Sequence, residues 1–287
     1  MIEIGVDPVA FTIGSISMRW YGIFITLSVV WIVVWMAWRA KKGARLSYDT
    51  VFAGALVGIP SGVVIARLLH VVDNIVVAKL HPELIGAPGG VTDYLQDPGG
   101  ILGAAGLTAY GAVLGAALGV WVYSKFSKRD TGLLFHLLAP AVIMAQAIGR
   151  IGCTINGCCY GIATSLPWGI VYTHPNSAAP EWMVTQRVAT HPATVYELIY
   201  DVIVFGVLWK LMGRVRPDGS LFLIYLGLYS LYRVGMDFLR EGNPFLFGLH
   251  QAQVIGIIVL VIVIPVLVRR RPWMRAEEPL QQELEVS

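Results

Sequence analysis

Long apolar stretches separated by short basic segments dominate the pattern of hydrophobic and polar positions. A helix that crosses a bilayer needs about 20 apolar residues, because each residue adds about 1.5 Å along the axis. The pattern therefore predicts an all-α polytopic membrane protein, in which residues 1–268 form a single bundle of seven transmembrane helices. The predicted spans are residues 20–38, 50–69, 101–123, 133–151, 193–212, 219–239 and 251–268.

The segments between the spans differ in character. Residues 1–17 predict a short amphipathic segment at the membrane surface. Residues 70–100 are rich in Pro and Gly and predict a long loop with short interfacial helices. Several prolines within residues 153–192 exclude a continuous helix there. Residues 269–287 predict a cytoplasmic tail.

The distribution of Lys and Arg predicts the orientation. Of the 21 basic residues, 14 lie at or after the ends of spans one, three, five and seven, and the positive-inside rule makes that face cytoplasmic. An odd number of spans then places the N-terminus outside and the C-terminus in the cytoplasm. The loop and short-helix segments at residues 70–100 and 153–192 are expected to face outward.

Composition agrees with this class and excludes others. The chain is 56% hydrophobic and 14% charged, whereas about a quarter of the residues of a soluble globular protein are charged. The net charge of +3 does not indicate a nucleic-acid partner, since topology accounts for the basic segments. The motifs of P-loop nucleotide binding and of common serine or zinc hydrolases do not occur.

Several charged residues fall in or at the outer ends of predicted spans, where charge is costly and usually functional. Arg233 and Asp237 are four residues apart, so they share a helix face and can pair. The surplus of arginine over aspartate predicts a cationic pocket for a lipid phosphate, and a purely structural ion-pair network is the alternative. The charged residues are Arg67, Arg150, Arg233, Asp237, Arg240 and Glu241.

A glycine-rich segment, residues 149–161, ends the fourth predicted span. Arg150, Asn156 and backbone amides between glycines could form a cradle for a lipid phosphate. Alternatively, Arg150 extends to the interface and the glycines only end the helix.

These residues resemble the bacterial prolipoprotein diacylglyceryl transferases over nearly the whole chain. The centre of the resemblance is Gly149-Arg150-Ile151-Gly152 through Asn156-Gly157 to Gly161. The other similar segments are Trp20-Tyr21-Gly22, Thr108-Ala109-Tyr110-Gly111 with Gly115, His191-Pro192-Ala193-Thr194-Val195-Tyr196-Glu197, Arg233 to Asp237-Phe238-Leu239-Arg240-Glu241, and Gln251-Ala252-Gln253.

The resemblance implies a reaction and roles for these residues. The family moves the diacylglyceryl group of phosphatidylglycerol onto a lipobox cysteine thiol of a secreted precursor and releases glycerol phosphate. Arg150 and Arg233 match arginines suited to stabilising the departing phosphate. Asp237 would orient Arg233. Tyr21, Asn156 and Gly161 match positions that bind substrate or shape the site.

The chain also departs from the family pattern. Tyr110 stands where the family typically has a histidine, a candidate base, although a phenol has an unperturbed pKa of about 10. Cys153 and Cys158 replace an asparagine and an acidic residue of the signature. The changes leave two outcomes open: a divergent subgroup with the usual reaction, or a relative with another acceptor.

The predicted site combines these residues. Arg150, Arg233 and Tyr110 are the expected catalytic residues. For His191 and Glu197 a direct role and a structural role at the start of the fifth span both remain open. The expected substrate-binding residues are Tyr21, Arg67, Asn156, Gly161, His191, Glu197, Asp237, Arg240 and Glu241.

Three cysteines, Cys153, Cys158 and Cys159, allow three interpretations. A zinc site is disfavoured because the paired C-x-x-C pattern is missing and adjacent cysteines rarely ligate one ion together. A Cys153–Cys158 disulfide is possible on the outward face. Packing as small apolar side chains is favoured, so we expect no metal and no cofactor.

The resemblance places the protein in the bacterial cytoplasmic (inner) membrane. Its expected partners are phosphatidylglycerol, the signal peptide of lipoprotein precursors and membrane lipids, with no nucleic acid. The alternatives are a transferase that uses the same donor with a different acceptor, and a non-catalytic protein that binds or translocates phospholipid.

Overall fold

The computed structural model describes residues 1–14, 16–80, 109–242 and 245–271, which are mostly helical. The strands are β1 (Ile2–Ile4), β2 (Val9–Ile13), β3 (Ile16–Arg19) and β4 (Ile170–Tyr172). The helices are α1 (Trp20–Lys41), α2 (Tyr48–Leu80), α3 (Ala109–Phe126), α4 (Thr131–Asn156), α5 (Glu181–Thr185), α6 (Ala193–Leu211), α7 (Ser220–Met236), a 3-10 turn (Asp237–Leu239) and α8 (Gln251–Arg270).

Five helical segments among the described residues are long and apolar enough to cross a membrane: Trp20–Lys41, Tyr48–Leu69, Thr131–Asn156, Ser220–Leu239 and Gln251–Arg270. These segments agree with an all-α polytopic membrane protein. The described part of the third predicted span contains a shorter apolar helix, Gly111–Phe126. Helix α6 covers the fifth predicted span but carries Glu197, Asp201 and Lys210. A bundle of seven spans therefore stays a prediction.

The described elements differ from the predicted segments at three places. Helix α2 continues to Leu80, so residues 70–80 extend a long helix rather than forming a loop with short interfacial helices, while residues 81–100 lie outside the described residues. Helix α4 extends five residues beyond the predicted end at residue 151, to Asn156. Residues 1–17 contain strand β1, strand β2 and the beginning of strand β3. Strand β1 pairs in parallel with β4, and β2 and β3 form an antiparallel pair.

The chain divides into two compact units, residues 40–131 and residues 1–39 with 132 onward. In the first unit, small residues bring α2 and α3 together. A Cβ atom at Gly115 would lie 2.5 Å from the carbonyl oxygen of Ser61, and one at Gly119 would lie 2.6 Å from the Ser61 Oγ. The small residues of α3 therefore allow the backbones of α2 and α3 to approach closely.

In the second unit, α4 forms much of the core, with Ala139, Ala141 and Ile143 fully buried. Neighbouring helices bond to it. From α1, Ser28 Oγ donates to the carbonyl oxygen of Ala145 at 2.8 Å and Trp35 Nε1 donates to that of Leu137 at 3.0 Å. From α7, the Tyr225 hydroxyl donates to Gln146 Oε1 at 2.9 Å. These contacts fix the end of α4 that carries Arg150.

Candidate active site

Glu197, in the second turn of α6, is the centre of a buried ionic cluster. Its side chain is 1% exposed and lies beside three guanidinium groups. Oε1 is 2.7 Å from Arg150 Nη2, while Oε2 is 3.6 Å from Arg233 Nη1 and 3.4 Å from Arg240 Nη1. The expected convergence of Arg150 and Arg233 is confirmed. The sequence predicts Glu197 as a substrate ligand or as a structural residue at the start of the fifth span, but not as a carboxylate that three arginines share.

Separate elements supply the arginines. Arg150 comes from the last turns of α4, Arg233 from the last turn of α7, and Arg240 follows the 3-10 turn. Arg233 Nη2 also lies 2.8 Å from Asp237 Oδ1, which confirms the predicted pair four residues apart. We call Arg150, Glu197, Arg233, Asp237 and Arg240 the arginine cluster.

The arginine cluster contains more guanidinium groups than carboxylates. Its three guanidinium groups meet the two carboxylates of Glu197 and Asp237. The arginine side chains keep 13%, 9% and 13% of their surface exposed, whereas that of Glu197 keeps 1%. The carboxylate of Glu197 is thus buried more deeply than the guanidinium groups, of which those of Arg150 and Arg240 keep the most exposed surface.

Gly161 ties the segment of Arg240 to the start of α6. Its amide donates to the carbonyl oxygen of His191 at 3.0 Å, and the amide of Ile162 donates to that of Leu239 at 3.0 Å. A Cβ atom at Gly161 would lie 2.5 Å from both the His191 Cβ and the Leu239 carbonyl oxygen. Only glycine fits here, so Gly161 shapes the site through its backbone.

Most backbone amides of the glycine-rich segment have partners within the chain. Helix α4 runs through Gly149 and Gly152 to Asn156, and the amides of Gly157 and Cys158 both donate to the carbonyl oxygen of Cys153. These amides are therefore not available for the predicted phosphate cradle. The turn comes at Gly157, whose φ of +76° suits glycine.

Tyr21 and Asn156 are held near the end of α4. A Cβ atom at Gly152 would lie 3.1 Å from the Tyr21 Cα, so α1 packs directly on this part of α4. The Asn156 side chain is buried, and its Oδ1 accepts a hydrogen bond from Arg19 Nη1 at 2.9 Å. The contact occupies an oxygen of Asn156 that was expected to serve the substrate.

The three cysteines meet beside the arginine cluster. Their Sγ atoms all lie within 4.8 Å of one another, and the structure records all three as free cysteines. Arg150 Nη1 is 3.7 Å from the Cys153 Sγ. Hydrogen bonds from the Cys153 and Cys158 thiols, together with the charges of Arg240 and Arg150, lower the pKa of Cys159 below the usual thiol value and outweigh the effect of burial.

The sequence model of the prolipoprotein diacylglyceryl transferases matches residues 8–269. The chain belongs to this family. A relative from Dehalococcoides mccartyi (strain ATCC BAA-2266 / KCTC 15142 / 195) is 41% identical over 94% of this chain and 96% of its own length. Relatives from Clostridium tetani and Clostridioides difficile are 32% and 31% identical over 83% and 89% of this chain, and over 86% and 92% of their own lengths. All three are named phosphatidylglycerol--prolipoprotein diacylglyceryl transferase.

The remaining predicted site residues lie on several elements of the chain. Arg67 is half-buried on α2, and Tyr110 lies in the first turn of α3, in the unit of residues 40–131. The side chain of Tyr110 lies outside the described part of the chain. Glu241 is exposed, and its amide donates to the carbonyl oxygen of Tyr160 at 3.4 Å. The buried Nδ1 of His191 has no hydrogen-bond partner among the described residues.

Sequence reasoning missed three side chains. The Tyr229 hydroxyl donates to Glu197 Oε1 at 3.1 Å, and its position four residues before Arg233 was an available signal. Asp201, four residues after Glu197, is fully buried, and neither carboxyl oxygen has a hydrogen-bond partner within the described ranges. Arg19, the last residue of β3, donates a hydrogen bond to Asn156.

Proposed function

We propose that this chain transfers the diacylglyceryl group of phosphatidylglycerol to the lipobox cysteine thiol of lipoprotein precursors and releases glycerol phosphate. Membership of the family and the printed name of its relatives support this function. The structural observation that carries the proposal is the set of three arginines around the buried carboxylate of Glu197.

The chemistry explains why such a cluster is needed. The sulfur of the acceptor attacks the glycerol carbon that bears the phosphate, a C–S bond forms and the C–O bond to the phosphate breaks. The thiol proton goes to a base, and the departing glycerol phosphate gains a negative charge. Guanidinium groups aimed at the phosphate stabilise that charge as it develops.

The described contacts suggest different roles for the arginines and the carboxylates of the arginine cluster. Arg150, Arg233 and Arg240 hold the headgroup phosphate, while Glu197 and Asp237 position these arginines from below. A fixed set of donors needs no reorganisation during the reaction, and this is the source of its catalytic effect.

The other site residues complete the proposal. Tyr110 is the proposed base in place of the histidine typical of the family. The remaining residues are proposed to bind lipid or acceptor, or to shape the site: Tyr21, Arg67, Asn156, Gly161, His191 and Glu241.

We further propose seven spans in a bacterial cytoplasmic (inner) membrane, with the N-terminus outside and the C-terminus inside, and with the signal peptide and surrounding lipids as partners. The parallel pairing of β1 with β4 supports a common side for the N-terminal segment and residues 153–192. The seven-span layout requires this common side. A C-terminal green fluorescent protein fusion should fluoresce, and a C-terminal alkaline phosphatase fusion should be inactive. The reverse pattern would exclude this orientation.

A lipidation assay with purified protein tests the function. Phosphatidylglycerol and a lipobox precursor are supplied, and both the gel shift of the precursor and the release of glycerol phosphate are measured. Arg150→Ala and Arg233→Ala should each lower the rate by about 100-fold or more, as expected for the loss of a donor that stabilises a developing charge. Arg187→Ala is the matched control, because this exposed arginine pairs with Glu3 at the surface. Unchanged rates in the two cluster variants would refute the assignment.

The second candidate function is transfer of the same lipid group to a different acceptor. It is favoured by Cys153 and Cys158, which stand where the family signature has polar residues. Complementation separates the two candidates. A cell depleted of its own transferase regains growth only if this chain modifies lipoprotein precursors. Lipid binding without release of glycerol phosphate would instead indicate a non-catalytic lipid-binding protein.

A further inference from the structure

All three cysteines of the chain lie in one cluster at the C-terminal end of α4. We call Cys153, Cys158 and Cys159 the thiol cluster. Cys153 is buried, Cys158 is half-buried and Cys159 is exposed, so the cluster extends from the core to the surface. A disulfide would use two of these thiols and leave the third unexplained. Simple apolar packing does not account for the exposure of Cys159.

The backbone brings the sulfur atoms together. Cys153 lies in the last turn of α4, and the amide of Cys158 donates to its carbonyl oxygen at 3.3 Å, so the chain turns back over it. Cys159 has a φ of +61°, in the left-handed region that a residue other than glycine seldom adopts. The turn directs two adjacent thiols to the same point, which removes the main objection raised from the sequence.

The geometry suits a soft metal ion. A metal–sulfur bond of about 2.3 Å separates three trigonal sulfur atoms by roughly 4 Å, and the cluster already holds its Sγ atoms within 4.8 Å. No His, Asp or Glu joins the cluster among the described residues. Structural zinc takes four ligands, whereas cysteine sulfur also selects Cu(I).

The surroundings favour an anionic complex. Three thiolates around Cu(I) carry net negative charge, and Arg150 Nη1 lies 3.7 Å from the Cys153 Sγ. The positive charge of Arg150 would partly balance the charge of such a complex. We propose that Cys153, Cys158 and Cys159 form a three-thiolate binding site for Cu(I).

Competition with a chelator tests the proposal on the full-length protein in detergent, reduced and kept free of oxygen. Cu(I) is titrated in the presence of bathocuproine disulfonate, whose coloured complex reports the copper that the protein does not hold. We expect a single Cu(I) bound per chain. Cys158→Ser and Cys159→Ser should each weaken binding by about 100-fold or more, since even the loss of an outer partner of a ligand costs 10- to 100-fold.

Controls separate binding from misfolding. Tyr160→Phe keeps all three thiols beside the same turn and should bind Cu(I) as the wild type does. Each variant must elute as a single species in gel filtration. A second measurement needs no variant: bound Cu(I) should protect all three cysteines of the wild type from iodoacetamide, as read by mass spectrometry.

The proposal is overturned if the reduced wild type retains no Cu(I), if a Cys158→Ser, Cys159→Ser double variant retains as much, or if the cysteines are alkylated despite added Cu(I). Thiol titration of the unfolded protein after oxygen-free purification without added reductant should find three reactive thiols. A single reactive thiol would indicate a disulfide and would also overturn the proposal.

Discussion

Replacing Glu197 with glutamine keeps the shape of the side chain and removes the charge that three arginines share. Because Glu197 is 1% exposed, solvent cannot replace the lost interaction with Arg150, Arg233 and Arg240. Removing one partner of a buried ion pair costs about 3–5 kcal/mol. At 2–4 °C per kcal/mol for a domain of this size, roughly 3 kcal/mol lowers the unfolding temperature by about 6–12 °C.

Asp201→Asn is the matched control for this experiment. Asp201 lies one turn further along α6 and is also buried, but its carboxyl oxygens have no hydrogen-bond partner in the described part of the chain. The change from acid to amide therefore removes no ion pair, and we expect a shift of about 2 °C or less. Unfolding is followed as the fraction of protein that elutes as a monodisperse peak after heating in detergent.

Added lipid provides a second test of the role of Glu197. Without the carboxylate, three guanidinium groups face one another, and an anionic headgroup should relieve their repulsion. Phosphatidylglycerol should therefore raise the unfolding temperature of Glu197→Gln by more than that of the wild type, whereas zwitterionic lipid should not. Equal shifts for Glu197→Gln and Asp201→Asn, with no preference for anionic lipid, would refute the idea that Glu197 organises the arginines.

Three further outcomes follow from the geometry. Gly161→Ala places a Cβ atom 2.5 Å from a neighbouring carbonyl oxygen and should lower the free energy of unfolding by about 1–3 kcal/mol. Gly206→Ala is the control, because a Cβ atom there meets nothing within 4 Å, and it should leave the stability unchanged or raise it. Thermal unfolding compares the two variants, and equal stability would contradict this reasoning. Because the pKa of Cys159 is lowered, its thiolate persists at a lower pH than that of an ordinary thiol. Iodoacetamide at a pH of about 6 should therefore modify Cys159 before the other two cysteines. Mass spectrometry of digested samples taken over time gives the order of modification. Asn156→Ala removes the acceptor of Arg19 and should raise the KM for phosphatidylglycerol with a smaller effect on kcat; a purely catalytic loss would contradict it.

The hydropathy pattern predicted where helices lie better than where they end. Residues 70–80 continue α2 although they include His70, Asp73 and Asn74. A hydropathy pattern reports the thickness of hydrocarbon that a segment can cross. A helix needs only its own backbone hydrogen bonds and can extend beyond the bilayer.

The sequence predicted which charged residues belong to the site, but not which of them contact one another. Arg233 and Asp237 share a helix face by spacing alone, and that pair is present at 2.8 Å. The contact of Arg150 with Glu197 joins residues 47 positions apart, and packing of α4 against α6 decides it. Likewise, the glycines of residues 149–161 suggested a loop that could hold a lipid phosphate. Helix α4 nevertheless continues through Gly149 and Gly152, because a glycine leaves the backbone hydrogen bonds of a helix intact.

The pairing of Ile2 with Ile170 also constrains biosynthesis. A ribosome delivers the first of these residues long before the second, and in the proposed layout four spans must enter the bilayer between them. The N-terminal strand must therefore wait unpaired until the segment after α4 has been translocated. Closure of this strand pair becomes a late step of maturation, and a nascent chain halted before residue 170 would lack it however well its early helices were inserted.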